Sequence, residues 1–225
     1  METNELLLSA YPLISLNIGK VRSGTYKGKE TTSGIDKRKV DRALALGELG
    51  FEGDEQADLV HHGGVDKAVC VYSYDHYKHW EAKLDRSLEY GAFGENFTVA
   101  HMNESQVHIG DTFSIGTAVV QISQPRQPCW KLAMRWGLDE LPLLVTTSGA
   151  TGFYFRVLKQ GEVKTGDELL PLQVHPHRIT VEEANRVMHK DREDIDGLRK
   201  LLAVDALSAS WVNTFSKRLE RLVNE

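Results

Sequence analysis

The stretch "VHIGDTFSIGTAVVQIS", residues 107–123, decides the fold. "TFSI" and "AVVQIS" are runs of apolar and β-branched residues on either side of Gly116-Thr117, the pattern of a β-hairpin. Gly110-Asp111 stands just ahead of the hairpin. The same arrangement returns in "VKTGDELLP" (163–171), again a valine, then Gly-Asp, then an apolar strand. Gly-Asp also occurs at 53–54. The longer run "FYFRVLKQGEVKTGDELLPLQV" (153–174) reads as further strands, with Gln160-Gly161 as a hairpin turn. Many short strands separated by glycine turns predict a barrel or closed sandwich. One helix interrupts it, since Tyr77, Trp80 and Leu84 fall on one helical face.

Beyond about residue 176 the hydrophobic period changes from strand to helix. Thr180 with Glu183 forms a capping box, followed by Val181, Ala184, Val187 and Met188 on one face. Ile195, Leu198, Leu201 and Leu202 make a second stripe. Ser208 caps a third helix carrying Trp211, Phe215, Leu219 and Leu222. None of these short helices can bury its face alone, so they should pack on the barrel or on a second subunit. The expected organisation is mainly β with appended helices, a barrel domain over residues 1–175 and a small three-helix bundle over 176–225. "DREDIDG" fails as a calcium loop: with Gly197 as the turn glycine, Arg192 and Ala203 occupy the first and last ligand positions. It reads as a solvated helix start.

Composition narrows the function. Of 225 residues, 41% are hydrophobic and 26% charged, as in ordinary globular proteins. The net charge of -5, with no basic block, argues against nucleic-acid binding, which needs phosphate neutralisation. No apolar run approaches the ~18 residues of a membrane span, and the acidic start of the chain does not read as a secretory signal. The two cysteines, Cys70 and Cys129, can neither build a disulfide framework nor supply the roughly four ligands of an iron–sulfur cluster. A reducing cytoplasmic setting is expected.

Three stretches could carry chemistry. In "SQPRQPCWKL" (123–132) Pro125 and Pro128 stiffen an irregular loop, and Arg126 and Lys131 favour the thiolate of Cys129 over its thiol. From the residues alone, a functional thiolate and an incidental surface thiol both remain open. In "DLVHHGGVDKAV" (58–69), Gly63-Gly64 lets backbone amides converge on an anion, with His61, His62 and Lys67 adding protons and charge. The bland alternative is a plain turn before a strand. "GAFGENF" (91–97) is a third glycine turn, holding Glu95 and Asn96. Cys70, in the alternating run "KAVCVYSY", reads as a small buried hydrophobe. A zinc site at His76 and His79 lacks the H-E-x-x-H pattern, and no G-x-S-x-G elbow announces a serine hydrolase.

Taken in order, "GFEGDEQAD…HHGGVDKAV", "FGENF" and "GD…QPRQPCWKL" resemble the MOSC domain family, named for the C-terminal part of molybdenum-cofactor sulfurases, and within it the stand-alone bacterial YiiM-like group. The C-terminal helices resemble that group's "3-alpha" domain. The resemblance implies a β-barrel that binds molybdenum cofactor (Mo-molybdopterin). It makes Cys129 the protein ligand to Mo and places His61, His62, Gly63, Gly64, Lys67, Gly94, Glu95 and Asn96 along the cofactor pocket. His61 or His62 is then expected to deliver protons, since ordinary histidine titrates near neutrality. Asp66 and Glu95 are expected to orient neighbours, and Arg126 to hold a phosphate or the thiolate. Family members reduce N-hydroxylated compounds, including hydroxylated base analogues and amidoximes. The chain lacks the pyridoxal-phosphate sulfurase part and any fused ferredoxin. The implied activity is therefore N-hydroxy reduction fed by an external flavoprotein or ferredoxin-type reductase, with a homodimer possible. The alternative is a carrier that stores molybdenum cofactor and turns over nothing.

Overall fold

In the computed structural model, residues 9–58 and 62–224 are described. Strands run in chain order as β1 (Tyr11–Ile18), β2 (Arg22–Tyr26), β3 (Lys29–Ser33), β4 (Arg38–Lys39), β5 (Leu44–Gly47), β6 (Gly50–Phe51), β7 (Val69–Ser73), β8 (Phe97–Val99), β9 (Thr112–Ile115), β10 (Ala118–Pro125), β11 (Phe153–Lys159), β12 (Gly161–Val163) and β13 (Glu168–Gln173). The helices are α1 (Tyr77–Leu84), α2 (Trp130–Trp136), α3 (Leu141–Ser148), α4 (Val181–Asn185), α5 (Ile195–Leu202) and α6 (Ala209–Asn224). The sheet order β13-β9-β10-β11-β7-β8-β1 closes into a barrel because β1 also pairs with β13. Closure removes the unpaired edges that an open sheet would present.

The predicted hairpin is present, with Ile115 opposite Ala118. The Gly-Asp echo is a repeated turn. Gly110 and Gly166 sit at φ 93° and 90°, backbone that side chains disfavour. Asp111 Oδ2 accepts the His108 amide at 2.9 Å, and Asp167 Oδ2 accepts the Lys164 amide at 2.9 Å. Each turn launches a strand, and the two strands β9 and β13 then pair with each other. The hairpin expected at Gln160-Gly161 does not form. β11 already has β10 on one edge and β7 on the other over Phe153–Phe155. The chain instead lays β12 against β5. Gly161 passes so close to the β9–β10 turn that a Cβ would stand 2.5 Å from the Thr117 and Ala118 backbone.

The three C-terminal helices pack on the barrel. Val181, Leu198, Trp211 and Phe215 share one continuous core with Val120, Ile122 and Phe155. The amide of Glu183 donates to Thr180 Oγ1 at 3.0 Å, the expected cap. Asp194, in the rejected calcium motif, caps α5 through the Gly197 amide at 2.8 Å. A second core joins α1 to α2 and α3, through Tyr77, Trp80, Phe93, Leu132, Leu141 and Val145. Sequence reading missed α2 and α3. Among the described residues no helix is long and apolar enough to cross a membrane.

Candidate functional site

Strand β10 ends at Pro125, and the chain runs from there to the start of α2 at Trp130. Cys129 is the residue before the first turn of α2, in extended conformation (φ −118°, ψ 168°), and its carbonyl accepts the Leu132 amide at 3.0 Å. It is half-buried and has no disulfide partner. The prolines and this helix start fix the sulfur before anything binds.

Cys129 lines a cavity of about 80 Å³ that opens to solvent. Its walls carry an unusual density of cations for a chain of net charge -5: Lys37, Lys67, Arg126 and Lys131, with His62 beside them. Arg126 is 6% exposed. One guanidinium nitrogen, Nη2, donates to the Phe93 carbonyl at 2.6 Å, while Nη1 is buried without a partner among the described residues. A buried donor on a cation with nothing to donate to is costly, and such groups usually mark a missing ligand.

The imidazole of His62 is pushed down to about 4, by burial first and then by the charges of Lys131 and Arg126. It is therefore neutral near pH 7. Burial also lowers the Lys67 ammonium, opposed by the carboxylates of Asp66 and Asp58. His61 lies outside the described residues.

Several expected cavity residues serve elsewhere. Asp66 pairs with Arg156 at 2.7 Å and accepts the Ala209 amide at the start of α6 at 3.1 Å. Glu95 is fully buried and receives the Tyr77 hydroxyl, the Gly91 amide at 3.0 Å, the Phe93 amide at 2.9 Å and the Thr98 hydroxyl at 2.9 Å. Its carboxylate thus knits the 91–98 turn together. Gly63 and Gly64 do not line the cavity. Gly64, at φ 93°, turns the chain into a 3-10 turn at Val65–Lys67, which brings Lys67 to the wall.

Gly94 does line the cavity, and it must be glycine: a Cβ there would stand 2.6 Å from Ile35 Cγ1. Asn96 also lines it but is fully engaged. It accepts the Cys70 amide at 3.1 Å and donates to the Asn17 carbonyl at 3.2 Å and to Asp54 at 2.9 Å.

Sequence reading missed Lys37, Gln56, Tyr154 and Cys70 as cavity residues. Lys37 is held by a nearly buried ion pair with Asp54 at 2.5 Å. Asp54 also takes the Gly19 amide at 2.8 Å and the Gln56 amide group at 3.2 Å. The only sequence trace of this network is the third Gly-Asp pair. Cys70 is buried on β7 as expected, yet its side chain forms part of the cavity wall. Burial pushes its thiol up to about 11, so it stays protonated where thiolate chemistry would be needed. The zinc alternative finds no support: His76 Nε2 is spent on Glu104 at 2.7 Å, and no metal-binding cluster of His, Cys, Asp and Glu occurs among the described residues.

Comparison with known proteins agrees with this architecture. The MOSC domain model matches residues 58–170, and the YiiM-like, 3-alpha helix domain model matches residues 179–222. An uncharacterized protein YflK of Bacillus subtilis is 48% identical over 213 residues, covering 95% of this chain and 96% of that protein. The crystal structure of YiiM from Geobacillus stearothermophilus superposes with a TM-score of 0.80 at 36% identity, covering 93% of this chain and 99% of the other. A protein named reductase from Gibberella moniliformis is 33% identical over 180 residues, 78% of this chain but 32% of that longer protein.

Proposed function

This chain belongs to the MOSC family and carries its YiiM-like 3-alpha helix domain, and on that premise we propose that it is a molybdenum-cofactor-dependent reductase of N-hydroxylated compounds. The observation that carries the proposal is the orphaned Arg126 Nη1 in a cation-walled cavity that also holds a free, half-buried cysteine. An anionic ligand with phosphate oxygens and soft-metal chemistry fits that donor set.

Molybdenum cofactor, when bound, supplies the two-electron redox chemistry; the net change is R–NHOH plus two electrons and two protons to R–NH2 plus water. Cys129 would hold the metal, because a thiolate is a soft, polarisable donor. Arg126, Lys37 and Lys131 would hold the cofactor's anionic groups. Asp54 aims Lys37 through their ion pair, and Asn96 braces the strand that carries Cys70. His62, neutral and partly buried, can pass a proton by accepting it at one ring nitrogen and giving one up from the other, which leaves the ring's charge unchanged. An anion bound beside it raises its proton affinity, so proton uptake accompanies cofactor binding. With only two cysteines the chain has no room for an iron–sulfur cluster, so electrons come from a separate flavoprotein or ferredoxin-type reductase.

The test is to purify the protein from a host that makes the cofactor and to measure molybdenum and pterin. Reduction of an N-hydroxylated purine is then assayed with a supplied reductase. Stoichiometric cofactor with turnover is expected. Stoichiometric cofactor without turnover would replace this reading with the carrier.

A further inference from the structure

The cavity beside Cys129 has a volume of about 80 Å³, well below the roughly 300–1,000 Å³ of small-molecule sites. A ligand of cofactor size that reaches Arg126 therefore needs its walls to part. The β2–β3 hairpin is the element placed to let them. Its strands pair with each other and, among the described residues, with no strand of the barrel. No residue from 22 to 32 is buried. Its turn is tight, with Lys27 and Gly28 at φ 51° and 74°, the geometry of a two-residue hairpin loop. A lone two-stranded hairpin is marginal in water, so its position is set by what holds its ends.

Both roots lie in the cavity wall. The Gly19 amide donates to Asp54 Oδ1 at 2.8 Å and the Val21 amide to Glu55 Oε2 at 2.9 Å. Gly34, just past β3, presses on the same segment: a Cβ there would stand 2.2 Å from the Glu55 carbonyl oxygen. Gly34, Ile35, Glu55 and Gln56 all line the cavity. The tip is held differently. Tyr26 stacks on Trp130, with ring centroids 5.4 Å apart and planes at 20°. Trp130 follows Cys129 and is the first residue of α2. The Tyr26 hydroxyl donates to Asp139 Oδ1 at 2.6 Å, and the Lys27 ammonium lies 2.9 Å from Asp139 Oδ2. Asp139 stands beyond the other end of α2, so the tip grips that helix at both ends. Between root and tip the arm stands off the helix: Arg22, Ser23 and Gly24 line a cleft of about 620 Å³ with Met134, Arg135 and Trp136 of α2. The roots are thus firm, whereas the tip depends on one aromatic pair and one exposed ion pair, contacts that contribute little each.

We propose that the hairpin is a latched arm that gates the cavity. Closed, its tip clamps α2 and fixes Cys129. Released, it swings on its roots at Gly19–Val21 and Gly34, and the Gly34–Ile35 wall parts from the first turn of α2 to admit an anionic ligand of cofactor size. Hinges at element ends that absorb such a motion are a common device at ligand sites. The proposal rests on the cavity holding a ligand and not on the reductase reading.

The test reads the latch through the thiol it guards. Full-length protein from a cofactor-deficient host is labelled with fluorescein-5-maleimide, an anionic thiol reagent of cofactor size. Rates at Cys129 and at the buried Cys70 are followed separately by peptide mass spectrometry. Tyr26→Ala removes the stack and the hydrogen bond, and Tyr26→Phe keeps the stack. Thr25→Ala, exposed on the same strand with its side chain in none of these contacts, is the control. In Tyr26→Ala, Cys129 should react about three- to tenfold faster, the scale of one aromatic pair, with the rate at Cys70 unchanged. Tyr26→Phe should fall between it and wild type, and Thr25→Ala should match wild type. A wild-type rate at Cys129 in Tyr26→Ala would overturn the proposal. So would an equal acceleration at Cys70, which would mean general loosening rather than a released latch. These rates are read without cofactor or substrate, so they stand or fall apart from the reductase reading.

Discussion

Arg126→Met separates a residue kept for a ligand from one kept for the fold. In the folded chain the guanidinium makes a charge-assisted bond to the Phe93 carbonyl at 2.6 Å, and Nη1 is buried without a partner among the described residues. Losing that bond costs about 1.5–3 kcal/mol, and the stranded carbonyl adds about 1–3 kcal/mol. Against this, methionine removes a desolvated cation whose effective penalty is several kcal/mol, and it fills much of the same space. The two sides are comparable, so cofactor-free protein should change stability by no more than about 2 kcal/mol, roughly 4–8 °C in melting temperature for a chain of this size. Cofactor capture should respond differently. Loss of a charge-assisted contact to an anion, about 1.5–3 kcal/mol, weakens binding by roughly 10–150-fold. Arg135→Met is the internal contrast. Its guanidinium donates to the Ile35 carbonyl at 2.7 Å and the Gly91 carbonyl at 2.5 Å and lies 3.4 Å from Asp36, so its loss should reduce stability outright. The assays are denaturant unfolding of protein from a cofactor-deficient host, and molybdenum and pterin content of protein from a cofactor-producing one. Full cofactor content in Arg126→Met, or destabilisation beyond about 4 kcal/mol in its apo form, would refute the assignment.

Cys129→Ser should abolish N-hydroxy reduction while retaining part of the pterin, because the hydroxyl is a hard, rarely ionised donor and the anion contacts come from other side chains; equal activity would remove the thiolate from the mechanism. Cys70→Ser should cost roughly 1–3 kcal/mol of stability, read by chemical unfolding, because it places a hydroxyl at a fully buried wall position. His62 binds its proton less readily when folded, with its titration lowered from 6.5 to about 4. Its contribution to stability is therefore fully present above pH 6.5 and lost as pH falls towards 4. Because the ring is partly solvated, the effect is at most about 1–2 kcal/mol, and His62→Asn should flatten the melting-temperature profile of apo protein over that window. Pure protein with substrate should not oxidise NADH or NADPH, since no strand-borne G-x-G-x-x-G is present; sustained oxidation measured at 340 nm would contradict this.

What could be read from the sequence was local. The 107–123 hairpin and the paired Gly-Asp turns are set by residues within three or four positions of one another, and their geometry is as the residues imply. The caps at Thr180 and Asp194 are local in the same sense. The stiff loop before Cys129 was visible from its prolines. Helices α2 and α3 were not, because each is only about two turns long and neither presents a clean polar face. The Lys37–Asp54 pair spans 17 positions with no periodic signal, so only folding brings the cation to the cavity. Asp66 and Glu95 were singled out by residue type, but their directions are chosen by distant partners, Arg156 and Tyr77. Chemical type is a property of the sequence; direction is decided by packing.

The same distinction explains why the cavity tolerates so much unbalanced charge. Lys37 is neutralised by Asp54, and the carboxylates of Asp66 and Asp58 act on Lys67. The backbone carbonyl of Phe93 is only a partial answer to Arg126. A protein selected for stability alone could replace that arginine by an apolar residue at little cost. Placed next to a free cysteine, that arginine holds a desolvated donor whose cost an anion would offset on binding. Preorganised donors of this kind do not have to be assembled at the moment of binding, which favours tight capture. The argument predicts a large rise in melting temperature on cofactor loading, by linkage about 2.7 kcal/mol at a ligand concentration 100 times Kd. Most of that rise should vanish in Arg126→Met, whose apo form starts from a similar temperature. An equal rise in wild type and Arg126→Met would show that the anion is held without the arginine.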